Sequence, residues 1–196
     1  MGEPAFSLCV YCGSRPGENA AFANAAEAVG QWIGRHNGQL VYGGGRSGLM
    51  GIVADATRQA GGRVVGVIPQ SLVDRELANR LCDELHIVQT MHERKHLMAE
   101  RANAFLALPG GIGTFEELFE VWTWRQLGYH DKPIGVLNTL GYYRRMVEFL
   151  HESVRAGFMS VAQMELLSID ETAEPLLSQL AQKAQVQRKP SDLSRI

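Results

Sequence analysis

Ala104-Phe105-Leu106-Ala107-Leu108-Pro109-Gly110-Gly111-Ile112-Gly113-Thr114-Phe115-Glu116-Glu117 is the stretch around which the chain is organised. Its first five residues form an unbroken apolar run, the pattern of a strand buried on both faces of a parallel sheet. Its last residues lead into Leu118-Phe119-Glu120-Val121-Trp122, which reads as a helix. Three glycines therefore sit on a strand-to-helix turn, where the backbone can approach a ligand and turn its N–H groups toward it. The helix start adds unbonded donors and the positive end of the dipole, which suits phosphate or another anion. Two carboxylates in the first helical turn need a separate reason. Thr114 and Glu117 have the spacing of a capping box, with Thr114 as N-cap. On this stretch alone a cap is a better reading of Glu117 than a catalyst.

The same alternation runs through the rest of the chain. Strands are expected at Phe6 to Tyr11, Gln39 to Tyr42, Val64 to Ile68, His86 to Val88, Ala104 to Leu108, Pro133 to Leu137 and Leu166 to Ile169. Helices are expected at Ala20 to His36, Leu49 to Ala60, from Thr90, Thr114 to Gly128, Gly141 to Ala156 and Thr172 to Ala184, with a short helix or loop around Asp74 to Leu77. Thr90 followed by Glu93 is a second capping-box pattern, and Asn37-Gly38 a helix stop. Alternating strands and helices predict one α/β domain over residues 1–184, a parallel sheet with helices on both faces, and a polar, frayed tail over 185–196. In such a sheet every strand's carboxyl end lies on one edge. Gly13-Ser14, Gly43 to Gly48, Arg94 and Gly110 to Gly113 all follow strand ends, so they converge in space.

Composition narrows the class. A net charge of -2 offers no basic field for nucleic acid. Three cysteines argue against a disulfide framework and for a reducing, cytoplasmic setting. Met1-Gly2-Glu3-Pro4 has no basic region of a signal peptide, and no apolar run approaches the ~20 residues of a membrane helix.

Three motifs invite other readings. Gly43, Gly45 and Gly48 match G-x-G-x-x-G, but no acid follows near the next strand end, between Arg63 and Gln70, so a dinucleotide site is not expected. A phosphate or ribose contact is, with Gly48 and Gly51 open to a packing role. His92-Glu93-Arg94-Lys95-His96 matches H-E-x-x-H, yet no third ligand follows, so no metal is expected. Cys9 and Cys12 form C-x-x-C inside a strand rather than at a helix start, and read as small buried hydrophobes. Arg94-Lys95 opens a helix, where cations oppose the dipole. At a strand end facing the glycine turns, they suit an anionic ligand.

Arg94-Lys95 upstream of P-G-G-I-G-T-F-E-E resembles the LONELY GUY family, the phosphoribohydrolases of cytokinin nucleoside 5′-monophosphates once labelled lysine decarboxylases. C-G-S at Cys12 to Ser14, V-Y-G-G-G-x-x-G-L-M-G from Val41 to Gly51, G-V-I-P from Gly66 to Pro69, M-H-E-R-K from Met91 to Lys95 and H-D-K-P-I-G from His130 to Gly135 extend the resemblance over nearly the whole chain. It implies a Rossmann-like, doubly wound fold and a homodimer acting on a small nucleoside monophosphate without cofactor or metal. It makes Arg94 and Glu117 the catalytic pair. Glu76, Arg94, Lys95, Gly111, Ile112, Gly113, Thr114, Phe115, Glu116, Glu117 and Thr123 become substrate contacts. Ser14, Gly44 and Gly45 are placed on the phosphate and ribose side.

The chemistry agrees with that implication. Breaking an N-glycosidic bond passes through an oxocarbenium-like ribosyl cation. A carboxylate beside the anomeric carbon stabilises that charge or activates water, and a remote phosphate anchor holds the reacting centre in place. Two alternatives stand beside hydrolysis. One is a non-catalytic nucleotide-binding protein in which Glu117 is only a cap. The other is a pyridoxal-phosphate decarboxylase, which needs a Schiff-base lysine. Of Lys95, Lys132, Lys183 and Lys189, only Lys95 is expected near the site. The helix from Thr114 carries Phe115, Leu118, Phe119, Trp122 and Trp124, which at helical spacing is mostly core; aromatics on more than one face also point part of this helix at a partner subunit.

Overall fold

The computed structural model describes residues 3–74, 77–185 and 191–193. Seven strands, β1 (Ser7–Tyr11), β2 (Gln39–Tyr42), β3 (Arg63–Pro69), β4 (Glu84–Val88), β5 (Ala104–Ala107), β6 (Ile134–Leu137) and β7 (Leu167–Asp170), form one sheet ordered β4-β3-β2-β1-β5-β6-β7. Every pairing is parallel. The helices are α1 (Ala20–Arg35), α2 (Gly48–Gln59), α3 (Gln70–Val73), α4 (Met91–Glu100), α5 (Ile112–Gln126), α6 (Arg144–Arg155), α7 (Val161–Met164) and α8 (Ala173–Gln185). The expected Rossmann-like, doubly wound α/β fold is present.

Strand residues alternate between two cores. Leu8, Val10 and Leu106 face a layer with Val29, Val53 and Leu177 from α1, α2 and α8. Cys9, Tyr11 and Phe105 face a layer with Met98, Leu118 and Leu150 from α4, α5 and α6. The two thiols of the C-x-x-C pattern thus fall in opposite cores, Cys9 in one and Cys12 in the other, and burial raises both far above the ordinary thiol range. They are the small buried hydrophobes the sequence indicates.

The strand order reverses between β1 and β5, and a crevice opens at the carboxyl ends beside such a switch point. There the turns after β1 and β5 are tied together: Gly13 N donates to Pro109 O at 3.1 Å, and Leu49 N donates to Gly13 O at 3.0 Å. Gly48 starts α2 with φ +60°, and a Cβ on it would lie 2.5 Å from Arg15 N. Its role is packing, one of the two uses left open for it. Gly48→Ala combines a left-handed backbone with an overlap on the first turn, so it is expected to destabilise the protein by about 2–3 kcal/mol in a denaturant titration.

Two features depart from the sequence reading. Helix α5 begins at Ile112 with Gly111 as N-cap and no side-chain capping bond, so Thr114 is not the N-cap and Glu117 is not its box partner. Thr114 is buried beneath the turn, against Gly110. The tryptophans of α5 lie in the core, as their helical spacing indicates: Trp122 and Trp124 are buried, and Trp122 Nε1 donates to Gln163 O of α7 at 3.0 Å. The second departure is the tail, which is not frayed throughout, because Asp192 N donates to Tyr129 O at 2.9 Å and Leu193 is buried. No helix among the described residues is long and apolar enough to cross a membrane.

Candidate active site

Helix α4 supplies the cations. Thr90 caps it, its hydroxyl accepting from Glu93 N at 3.1 Å, as expected. The Glu93 carboxylate reaches one residue further back than a capping box requires and accepts from Gln89 N at 2.8 Å. This start turns Arg94 inward, where it is only 8% exposed. Its Nε donates to Val67 O at 3.0 Å and its Nη2 to Gly43 O at 2.9 Å. A buried guanidinium held by carbonyls of β3 and of the turn after β2 has lost most of its rotamer freedom before any ligand arrives. Gly43 makes room for it. A Cβ at Gly43 would overlap Nη2 and lie 3.0 Å from Cζ.

Helix α5 brings the carboxylates. Glu117 Oε1 lies 3.8 Å from Arg94 Nη1, and both side chains are nearly buried. At that separation the pair is electrostatic rather than a direct hydrogen bond. Burial pushes the Glu117 carboxyl up from 4.5 to about 7; Arg94 pulls it down, and Glu116 and Glu120 push it further up. A carboxylate near neutrality, beside a fixed cation and without a capping duty, is a group available for chemistry.

Lys95 lies one residue on and is committed within the protein. Its Nζ donates to Glu116 Oε1 at 2.5 Å and Glu120 Oε1 at 2.9 Å. Burial works against its charge, but the two carboxylates outweigh it and raise its pKa. Glu120, absent from the sequence reading, is thus part of the site, and its Oε2 is buried with no hydrogen-bond partner. Its signal was spacing: Glu120 is i+4 from Glu116 and i+3 from Glu117, on one helix face.

The glycine turn lies beside this pair. The first intrahelical bond of α5 is Phe115 N to Gly111 O at 3.1 Å, so the amides of Ile112, Gly113 and Thr114 precede the helical ladder. Gly111, Ile112 and Gly113 are exposed, and nothing lies within 4 Å of where a Cβ would stand on either glycine. The turn is open, uncapped and at a helix start, the requirements for an anion seat.

Other expected contacts are placed less directly. Ser14 is exposed, whereas Gly44 and Gly45 are buried beneath a strand-like segment: Asn79 N donates to Gly44 O at 2.8 Å and Gly45 bridges Ala78. Phe115 is half-buried against Tyr143. Thr123 is exposed, and its hydroxyl donates to Phe119 O at 2.7 Å. Glu76 lies outside the described residues. Of the H-E-x-x-H residues, His92 is exposed and His96 half-buried, and among the described residues no three His, Cys, Asp or Glu side chains are grouped to hold a metal ion.

The H-D-K-P segment has a use that sequence did not reveal. His130 Nε2 lies 3.0 Å from Val121 O of α5, while Lys132 N donates to His130 Nδ1 at 3.1 Å, so the ring is the neutral Nε2–H tautomer. Burial holds it neutral by lowering its pKa to about 4. Lys132 Nζ donates to Ala99 O near the end of α4 at 2.7 Å, and burial lowers its pKa to about 8. One segment therefore fastens the two helices that carry Arg94 and Glu117. Lys132 is the desolvated lysine a Schiff-base enzyme would use, but it precedes β6, at the opposite edge of the sheet, and is sealed against a carbonyl.

A model of the family described as "possible lysine decarboxylase" matches residues 50–180. Two cytokinin riboside 5′-monophosphate phosphoribohydrolases of Arabidopsis thaliana are each 45% identical, over 177 and 173 residues, covering 90% and 88% of this chain and 82% and 80% of theirs. The molybdenum cofactor carrier protein of Chlamydomonas reinhardtii superposes with a TM-score of 0.68 at 19% identity, covering 94% of this chain and 99% of its own. At that identity the likeness is one of fold.

Proposed function

This chain belongs to the family of the cytokinin riboside 5′-monophosphate phosphoribohydrolases, and on that premise we propose that it hydrolyses the N-glycosidic bond of adenosine 5′-monophosphates, plain or N6-substituted, to free base and ribose 5-phosphate. The observation that carries the reading is Glu117: a nearly buried carboxylate facing Arg94, beside an open anion seat, with no cap to make. In this reading the 5′-phosphate sits on the amides opening α5, which places the ribose toward Arg94 and Glu117. Glu117, as carboxylate, faces the anomeric carbon. It offsets the positive charge that develops there and takes a proton from the attacking water. Water adds to that carbon, the bond to the base breaks with its electron pair going to the base nitrogen, the base takes a proton from solvent, and Glu117 returns to solvent the proton it took from the attacking water. Arg94 Nη1, which also lies 3.9 Å from Met91 Sδ, serves the carboxylate and the sugar side. Lys95, held by Glu116 and Glu120, lends positive charge to the phosphate side.

A homodimer in a reducing cytoplasm belongs to the same proposal. Three free thiols support the compartment. Phe119 on α5 and Met91 on α4, both exposed, support a partner face; light scattering at micromolar protein should give twice the chain mass, and a monomer would remove that part.

The test is chromatography of AMP and isopentenyladenosine monophosphate after incubation with the protein. Free base and ribose 5-phosphate are expected; no base from either, with AMP still bound, would leave a nucleotide-binding protein. The pH profile adds a second check. Because the required form is the carboxylate, activity is full above about 7 and falls as pH drops through it. Between pH 8 and pH 6, kcat/KM is expected to fall about tenfold, above the substrate phosphate's own titration near 6.

A further inference from the structure

Two adjacent tyrosines after β6 grip the chain that runs into the glycine turn. Tyr142 Oη donates to Gly110 O and Tyr143 Oη to Leu108 O, each at 2.6 Å. The carbonyl between them, Pro109 O, accepts from Gly13 N at 3.1 Å. Three consecutive carbonyls are thus held from outside, immediately before the amides that open α5.

The last of these bonds has a directional consequence. Gly110 C=O and Gly111 N–H belong to one planar trans peptide, so they point in opposite directions. Holding the carbonyl toward Tyr142 aims the Gly111 N–H away from it, and a hydrogen bond to the carbonyl also polarises the amide. Tyr142 is 41% exposed, so water could serve its hydroxyl; the bond to Gly110 is a choice of the fold. The ring is held in place as well. It meets Phe22 of α1 edge-on at 5.7 Å and Tyr143 at 5.0 Å, while Tyr143 meets Phe115 of α5 at 6.2 Å.

The turn that presents the tyrosines is strained. Leu140, a γ-branched residue, sits at φ 55°, followed by Gly141 at φ 71°. A left-handed non-glycine residue is disfavoured and persists only where its surroundings over-determine it. Asn138 does this here: its Oδ1 accepts from Tyr143 N at 2.7 Å, and its carbonyl accepts from Gly141 N at 2.9 Å.

We propose that Tyr142 is a positioning residue for the substrate's 5′-phosphate, aiming the Gly111 amide and fixing the lip of the anion seat through Gly110 O. The inference rests on the hydrolase reading, in which that seat takes the phosphate. The test is Tyr142→Phe, which keeps both ring contacts and removes only the hydroxyl. For AMP, KM should rise about three- to tenfold with kcat within twofold, and the calorimetric Kd of ribose 5-phosphate should weaken by the same factor. Unchanged KM and Kd, or a fall in kcat at constant KM, would overturn it. If the wild-type protein releases no base from AMP, the hydrolase reading fails by itself. The ribose 5-phosphate titration of the two proteins then still decides the tyrosine: a weaker Kd in the variant supports it and an equal Kd refutes it.

Discussion

Glu117→Gln is expected to slow base release from AMP by about a thousandfold or more while leaving AMP affinity within a few-fold. The amide keeps the shape of the side chain and its place opposite Arg94 but can neither take a proton nor offset a ribosyl cation. The same substitution is expected to stabilise the fold, and the sign follows from burial. The carboxyl titrates near its ordinary 4.5 in an unfolded chain and at about 7 in the folded one, even with the attraction of Arg94 included. Below pH 4.5 both states carry the proton and the group costs nothing. Between pH 4.5 and 7 the unfolded chain ionises while the fold keeps the proton, so stability falls as pH rises, and the loss levels off above 7 at about 3 kcal/mol. Glu117→Gln escapes that loss, so at pH 8 its melting temperature should exceed wild type by roughly 5–10 °C, and at pH 4 the two should melt together. Loss of activity with a lower melting temperature at pH 8 would instead make Glu117 a structural residue.

Gly43→Ala is expected to reduce kcat/KM at least about a hundredfold, because displacing a catalytic group by about 1 Å is enough for that. The new methyl group would occupy the place of Arg94 Nη2, and the guanidinium is pinned on its other side by Val67 O. It must give up the Gly43 carbonyl and leave its position facing Glu117. The expansion is local, so circular dichroism should show the native fold, and the melting temperature should fall by only a few degrees. Wild-type kinetics in the folded variant would mean that the pinned position of Arg94 is not needed.

The fold was legible because its signal is repeated. Seven apolar runs alternate with helical periods, and their ends shift by three residues at most between sequence and structure. Convergence of Gly13, Gly43, Arg94 and Gly110 on one edge follows from parallel topology alone. The start of α5 was not legible. Thr114 and Glu117 satisfy the spacing of a capping box, but Gly111, lacking a side chain, is the N-cap, three residues before the expected one. The pattern reports spacing, whereas capping depends on which residue leaves the helical backbone conformation. What covers Trp122 was not legible either: its Nε1 donates to Gln163 O of α7, a four-residue helix too short to leave a period in sequence. Glu120 and the two tyrosines escaped because their roles depend on partners 25 to 35 residues away.

The pairing of β1 with β5 has a kinetic consequence. Contacts along that seam join residues 96 apart, as in the bond from Ser7 N to Asn103 Oδ1, so the loop entropy of closing it must be met before the contacts reward it. On one side β2 and β3 assemble through shorter connections and carry the carbonyls that hold Arg94. On the other, β5 leads into the helix of Glu117. The ion pair therefore straddles the seam of highest contact order. During refolding, helical signal should return before enzymatic turnover, and turnover should return only in the slowest phase that completes the sheet.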